Sequence, residues 1–201
     1  MVIDLGLCIG CYECVMACTD QYVNNAYPPY NAAEYDVSAR GDVGELWMDL
    51  KVQEAGTFPN TAVSFVPMPC MQCDNPPCEK AATGNAIYTR PDGIVLIDPT
   101  LSVGQNQLLS STACPYGKIY WNPVENLPQK CTFCAHRVDQ NLTPACVMSC
   151  VTSAILFGDL NDPTSAVAKG VAAGAQPLHP EYGTKPKVYY LNLPTNASLL
   201  P

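Results

Sequence analysis

Basic side chains are scarce in this sequence. Lys and Arg number 10 against 18 Asp and Glu, a formal charge of −8 over 201 residues. That balance argues against a nucleic-acid partner, because neutralising phosphates needs clustered cations. Charge of either sign is sparse too: 14% of residues are Asp, Glu, Lys or Arg, against roughly 25% in an ordinary soluble domain. A surface so short of charge is expected to be covered in part by a partner. Long apolar runs are also missing. No stretch reaches the roughly 20 residues of a membrane span. The start, Met1 to Cys8, lacks the basic and apolar regions of a secretory signal and reads as a short strand. The expectation is a cytoplasmic chain with no membrane span of its own. No G-x-G-x-x-G, P-loop or G-x-S-x-G sequence occurs. Substrate chemistry is therefore expected elsewhere than in this chain.

What the sequence has in quantity is cysteine, 12 residues, beside 19 prolines that mark turns and extended loops. The cysteines form four groups. Cys8, Cys11, Cys14 and Cys18 make a C-x2-C-x2-C-x3-C run. Cys70, Cys73 and Cys78 follow with Pro76-Pro77 between the last two. Cys114 stands alone before Pro115, and Cys131, Cys134, Cys146 and Cys150 close the series. Disulfides need an oxidising compartment, for which the start of the chain offers no signal. Zinc held by cysteine usually comes as two separated C-x2-C pairs, and only Cys131/Cys134 with Cys146/Cys150 resemble that. Triplets within seven residues suit an iron–sulfur cubane, where three thiolates on one tight loop reach three corners and a fourth comes from elsewhere.

In the bacterial ferredoxin pattern the fourth cysteine of such a run ligates the other cluster. Applied across two pseudo-symmetric modules, the rule predicts three ligand sets. Cys8, Cys11 and Cys14 take Cys150; Cys131, Cys134 and Cys146 take Cys18; Cys70, Cys73 and Cys78 take Cys114. All twelve are used, for three [4Fe–4S] clusters. A fourth set would need cysteines where the chain has Ala82, Gly104, Gln107 and Ser110, so that site reads as lost as a unit. His136 is expected to support a cluster or the fold, not to ligate. His179, among Pro177 and Pro180, is expected in a surface loop.

The remaining pattern predicts an α+β fold of two pseudo-symmetric ferredoxin-like modules with short antiparallel sheets and long loops. Strands are expected at 46–52, 62–66, 155–157 and 187–191, and a hairpin over 87–97 with Asp92-Gly93 at its turn. Helices are expected at 105–112 and 163–173, the latter capped by Asp162. Residues 1–25 with 125–160 form the outer module, with two clusters, and 60–124 the inner module, with one. Residues 26–59 connect them as a β segment. Residues 161–201 form a C-terminal extension packing on the modules or a partner, ending in an extended segment from Asn192.

The group order, Cys114-Pro115-Tyr116-Gly117, Cys131-Thr132-Phe133-Cys134-Ala135-His136-Arg137 and Gly183-Thr184-Lys185-Pro186-Lys187-Val188-Tyr189-Tyr190 resemble the iron–sulfur subunits of the dimethyl sulfoxide reductase family. The likeness runs from Met1 to about Leu193. The twelve-cysteine set, Asp92-Gly93-Ile94-Val95-Leu96-Ile97-Asp98-Pro99, Tyr120-Trp121-Asn122 and Gln129-Lys130-Cys131-Thr132 look like its pyrogallol–phloroglucinol transhydroxylase branch. That branch carries a further C-terminal β-sandwich beyond the stretch that resembles this sequence. The resemblance implies a large catalytic subunit holding molybdenum or tungsten on two molybdopterin guanine dinucleotides, in a heterodimer or a multimer of it. The clusters of this chain would relay electrons to or from that metal while a hydroxylated aromatic reacts. A phenol hydroxylase or catechol dehydroxylase of the same family fits as well. A free polyferredoxin, a zinc-stapled scaffold and the middle subunit of a membrane-bound reductase are the other readings. The first of these wants a more charged surface, and the last a membrane anchor.

Overall fold

The computed structural model describes residues 1–22, 46–122 and 125–194. The other residues, which include 26–45 of the predicted connecting segment and the end of the predicted tail, lie outside the described set. Its centre is a four-stranded sheet in the order β8-β1-β10-β9, built from β1 (Val2–Asp4), β8 (Ile155–Leu156), β9 (Gln176–Pro177) and β10 (Tyr189–Leu191). β1 pairs antiparallel with β8, in line with the short antiparallel sheets expected, and parallel with β10. The two partners in the parallel pair come from opposite ends of the described chain, and the intervening residues supply the crossover that parallel strands need. Both faces of β1 are covered: Ile3 joins the main core while Val2 packs with Val167 and Ala175. Helix α5 (Ala166–Ala172) approaches β1 through Gly170, where a Cβ would stand 3.0 Å from the Val2 side chain.

Three two-stranded hairpins complete the β structure of the described residues. They are β2–β3 (Asp49–Thr57 and Asn60–Met68), β4–β5 (Ile87–Thr89 and Val95–Ile97) and β6–β7 (Tyr120–Asn122 and Leu127–Gln129). The first runs beyond both strands predicted for it, turning at a cis Phe58-Pro59 bond in register Thr57↔Asn60. Its inner end, with Leu50, Val66 and Met68, is in the core, and Phe58 at its tip is exposed. The β4–β5 hairpin turns as expected, with Gly93 at φ 84° and its amide donating to the Arg90 carbonyl at 2.8 Å.

Two helix expectations change. Residues 105–112 give only a 3-10 turn at Asn106–Leu109, because the Ser110 hydroxyl bonds the Gln107 carbonyl and Thr112 and turns the backbone extended. Helix α5 starts later than predicted, with Ser165 as its cap accepting from the Ala168 amide at 3.1 Å. Asp162 instead closes an upstream turn on Thr164. Among the described residues no helix is long and apolar enough to cross a membrane.

Candidate metal centres

The remaining helices all carry or adjoin cysteines: α1 (Glu13–Tyr22), α2 (Pro77–Ala81), α3 (Ala135–Val138) and α4 (Ala145–Met148). The loop from Cys8 to α1 is folded by two left-handed residues, Gly10 (φ 70°) and Tyr12 (φ 63°). This turns backbone amides inward, so that Gly10 donates to the Cys8 sulfur and Val15 to that of Cys14. Phe133 (φ 53°) and Cys134 (φ 51°) fold the Cys131–Cys134 loop in the same way, and the Phe133 amide reaches the Cys131 sulfur. Gln72 (φ 48°) bends the Cys70–Cys73 loop. Further donors are Ala154 to Cys150 at 3.2 Å and Lys118 to Cys114 at 3.3 Å. Amides converging on sulfur favour an anionic thiolate ligand.

The fold gathers the cysteines into three neighbourhoods. Burial pushes the Cys14 thiol up to about 12, and its sulfur neighbours are Cys8, Cys150 and Cys11. Burial also pushes Cys18 well above its ordinary value, with Cys131, Cys146 and Cys134 beside it. In the third neighbourhood burial takes Cys73 and Cys78 up to about 12, and Cys70 and Cys114 adjoin both. None of the twelve is in a disulfide.

The crossing of partners has a helical cause. Cys14 and Cys18 are one turn apart on α1, about 6 Å along its axis. Cys146 and Cys150 have the same spacing on and just beyond α4. The two helices pack so that Cys14 faces Cys150 and Cys18 faces Cys146, with the Ser149 hydroxyl donating to the Glu13 carbonyl at 3.3 Å. Each helix thus gives one thiol to each set. The sets also adjoin in series: Cys146 of the second lies by Cys14 of the first, and Cys131 of the second lies by Cys70 of the third.

The donor chemistry fits [4Fe–4S] clusters: four thiols per set, amides aimed at sulfur, and no disulfide despite the crowding. Among the described residues no three His, Cys, Asp or Glu side chains converge as a single-ion site would require. Each thiolate of a cubane binds its own iron and so stands farther from its fellows.

Of the four positions expected to have lost a ligand, Gly104 has open space where a Cβ would stand, and Ala82, Gln107 and Ser110 make contacts of their own. Ala82 packs against the small core of Ile87, Leu108 and Ala113. Gln105 exchanges two hydrogen bonds with the Thr83 backbone at 2.9 and 3.0 Å, and Gln107 donates to Gln105.

His136 is buried, and burial together with Arg137 lowers its pKa, favouring the neutral ring. The ring lies edge-on to Tyr22 at 5.5 Å, in keeping with a supporting role. His179 corrects the surface-loop expectation: it is buried, stacked on Tyr182 at 4.6 Å with Nδ1 2.7 Å from Glu181.

Spacing did not single out the buried polar residues around the sulfurs. Lys118 lies by Cys114, its amine 3.4 Å from Asp49 and its pKa lowered by burial. Lys130 lies by four cysteines. Thr184 bonds both Cys73 and the Tyr116 hydroxyl, the latter at 2.7 Å. The available signal was position: Lys130 immediately precedes Cys131, and Lys118 follows Cys114 by four residues.

Residues 61–160 match a family model described as a 4Fe-4S dicluster domain. Curated relatives match along nearly the whole chain. The pyrogallol hydroxytransferase small subunit of Pelobacter acidigallici is 41% identical over 198 residues, 96% of this chain and 68% of that one. A sulfite dehydrogenase subunit of Allochromatium vinosum is 36% identical, covering 95% of this chain and 81% of its own. A tetrathionate reductase subunit of Salmonella typhimurium is 37% identical, at 96% and 72%.

Proposed function

The chain belongs to the iron–sulfur subunits of the dimethyl sulfoxide reductase family, and from that premise we propose that it carries three [4Fe–4S] clusters in series for a molybdopterin-containing catalytic subunit acting on a hydroxylated aromatic. The observation that carries this reading is the gathering of twelve thiols into three sets of four, crossed between α1 and α4. In it Cys8, Cys11, Cys14 and Cys150 hold the first cluster. Cys18, Cys131, Cys134 and Cys146 hold the second, and Cys70, Cys73, Cys78 and Cys114 the third. When bound, such a cluster passes single electrons. The residues of this chain bind sulfur-ligated iron, aim amides at the ligands and keep the second set dry.

The sets adjoin first to second and second to third, which supports a linear relay. Leu7, Ile9, Tyr12, Met16, Met148 and Val151 are exposed apolar side chains flanking the first set. They support docking of the catalytic subunit at that end, where Cys11 is also exposed. Residues 1–25 with 125–160 and residues 60–124 are the two modules of this scheme. The aromatic substrate rests on the 41% identity to the pyrogallol hydroxytransferase small subunit.

The test is the metal and acid-labile sulfide content of the complex purified anaerobically from its own host. Three cubanes require about twelve irons per chain, with stoichiometric molybdenum or tungsten from the partner. About sixteen irons would restore the fourth site. Zinc in place of iron would end the electron-transfer reading, and iron without molybdenum or tungsten would leave a free ferredoxin.

A further inference from the structure

Lys130 precedes Cys131 and is 2% exposed. Its ammonium donates to the Val95 carbonyl in β5 and to the Cys131 carbonyl at 3.1 Å. The buried Gln72 side chain, between Cys70 and Cys73, spans the same two residues. It accepts from the Val95 amide at 2.7 Å and donates to the Cys131 carbonyl at 2.8 Å. One junction therefore fastens the second-set loop, the third-set loop and the β4–β5 hairpin.

Among the described residues no carboxylate forms an ion pair with Lys130. The groups near it that would turn anionic as cluster ligands are sulfurs: Cys131 of the second set and Cys73, Cys78 and Cys114 of the third. Lys118, the other buried cation beside the third set, is partnered by Asp49. The charged neighbours of Cys8 and Cys14 in the first set are other cysteines. Burying an unpaired ammonium is costly, and a thiolate-ligated cluster supplies the compensating negative charge. Because that charge grows on reduction, a fixed cation beside the cluster favours its reduced form.

Resting on the three-cluster reading, we propose that Lys130 is the residue that sets the relay's gradient: held between the second and third cysteine sets by the Val95 and Cys131 carbonyls, its ammonium raises the reduction potential of the third cluster most, that of the second less, and leaves the first unaltered. Electrons then settle at the third end of the series, away from Cys11 and its apolar surround.

EPR-monitored redox titration of the anaerobically purified complex tests this. The signal lost in Cys114→Ser assigns the third cluster. Lys130→Met is expected to lower the third midpoint, shift the second less and leave the first in place. Lys130→Arg, which keeps the charge, is expected to restore the third midpoint. A fully loaded Lys130→Met with all three midpoints unmoved, or all three moved equally, overturns the proposal. So does Gln72→Leu shifting the third midpoint as far as Lys130→Met, since that change breaks the junction but keeps the charge. If Lys130→Met fails to hold the third cluster, Lys130→Gln takes its place as a neutral hydrogen-bond donor, and an unshifted third midpoint there is equally decisive. A wild-type complex with fewer than three clusters refutes the underlying reading before any variant is compared.

Discussion

The hydroxyls of Tyr22 and Thr132 meet at 2.7 Å although 110 positions separate them in sequence. Tyr22 is the last residue of α1, and Thr132 lies inside the Cys131–Cys134 loop. The bond thus ties the helix carrying Cys18 to the loop that Cys18 must face. Trp47 and His136 rings close over Tyr22 at 4.4 and 5.5 Å.

Tyr22→Phe removes that bond and leaves a buried Thr132 hydroxyl, a loss of about 1–2 kcal/mol. At about 2–4 °C per kcal/mol, the apparent Tm of the loaded complex is expected to fall by several degrees. Iron release from the second set should quicken, while the EPR signal assigned to the third is unchanged.

Cys150→Ser and Cys18→Ser discriminate crossed from local pairing. Cys150 is close in sequence to Cys146, yet its sulfur adjoins Cys8 and Cys14. Its loss is expected to abolish the first cluster and spare the second, and Cys18→Ser to do the reverse. Each variant should keep about eight irons. Loss of the same signal in both would contradict the crossing.

Gly10→Ala strikes the first set through its loop. Gly10 adopts φ 70°, and a Cβ there would stand 2.5 Å from the Phe65 ring. Left-handed strain costs about 1–3 kcal/mol, with the clash in addition. The first cluster is expected to be lost preferentially. Gly10→Ala with Phe65→Ala should recover part of the loading, by the clash alone, as a double-mutant comparison of iron content would read out.

Cluster assembly should release protons and speed up with pH. Burial pushes Cys14, Cys73, Cys78 and Cys131 up to about 12 in the metal-free chain, whereas the ligand is the thiolate. In vitro loading is expected to be faster at pH 8.5 than at pH 7, followed by the growth of cluster absorbance. The same raised values mean that the metal-free fold is favoured while the thiols are protonated. It should lose stability as pH rises from about 9 toward 12, because the unfolded chain ionises first. The loaded complex should lack that transition.

The short-range cysteine groups were legible because that signal is local: closely spaced thiols on one loop, and i, i+4 pairs that one helical turn must separate. The Asp92-Gly93 hairpin was legible for the same reason, since the turn residues dictate the turn. Helix α5 was legible in position but not in its start, since Asp162 and Ser165 are both capable caps and only the path of the chain chose Ser165. The helix expected at 105–112 failed where Ser110 and Thr112 bonded locally and broke the helical path.

The sequence by itself determined the family and the four short-range groups of cysteines, because both reside in residue identity and short spacing. The tertiary structure decided what surrounds the sulfurs. A parallel strand pair drawn from opposite ends of the described chain, a histidine buried at 179, and Gln72 and Lys130 joined at Val95 and Cys131 are contacts between distant segments. Burial removes water from those contacts, and only the folded chain sets which charges are left to face one another there.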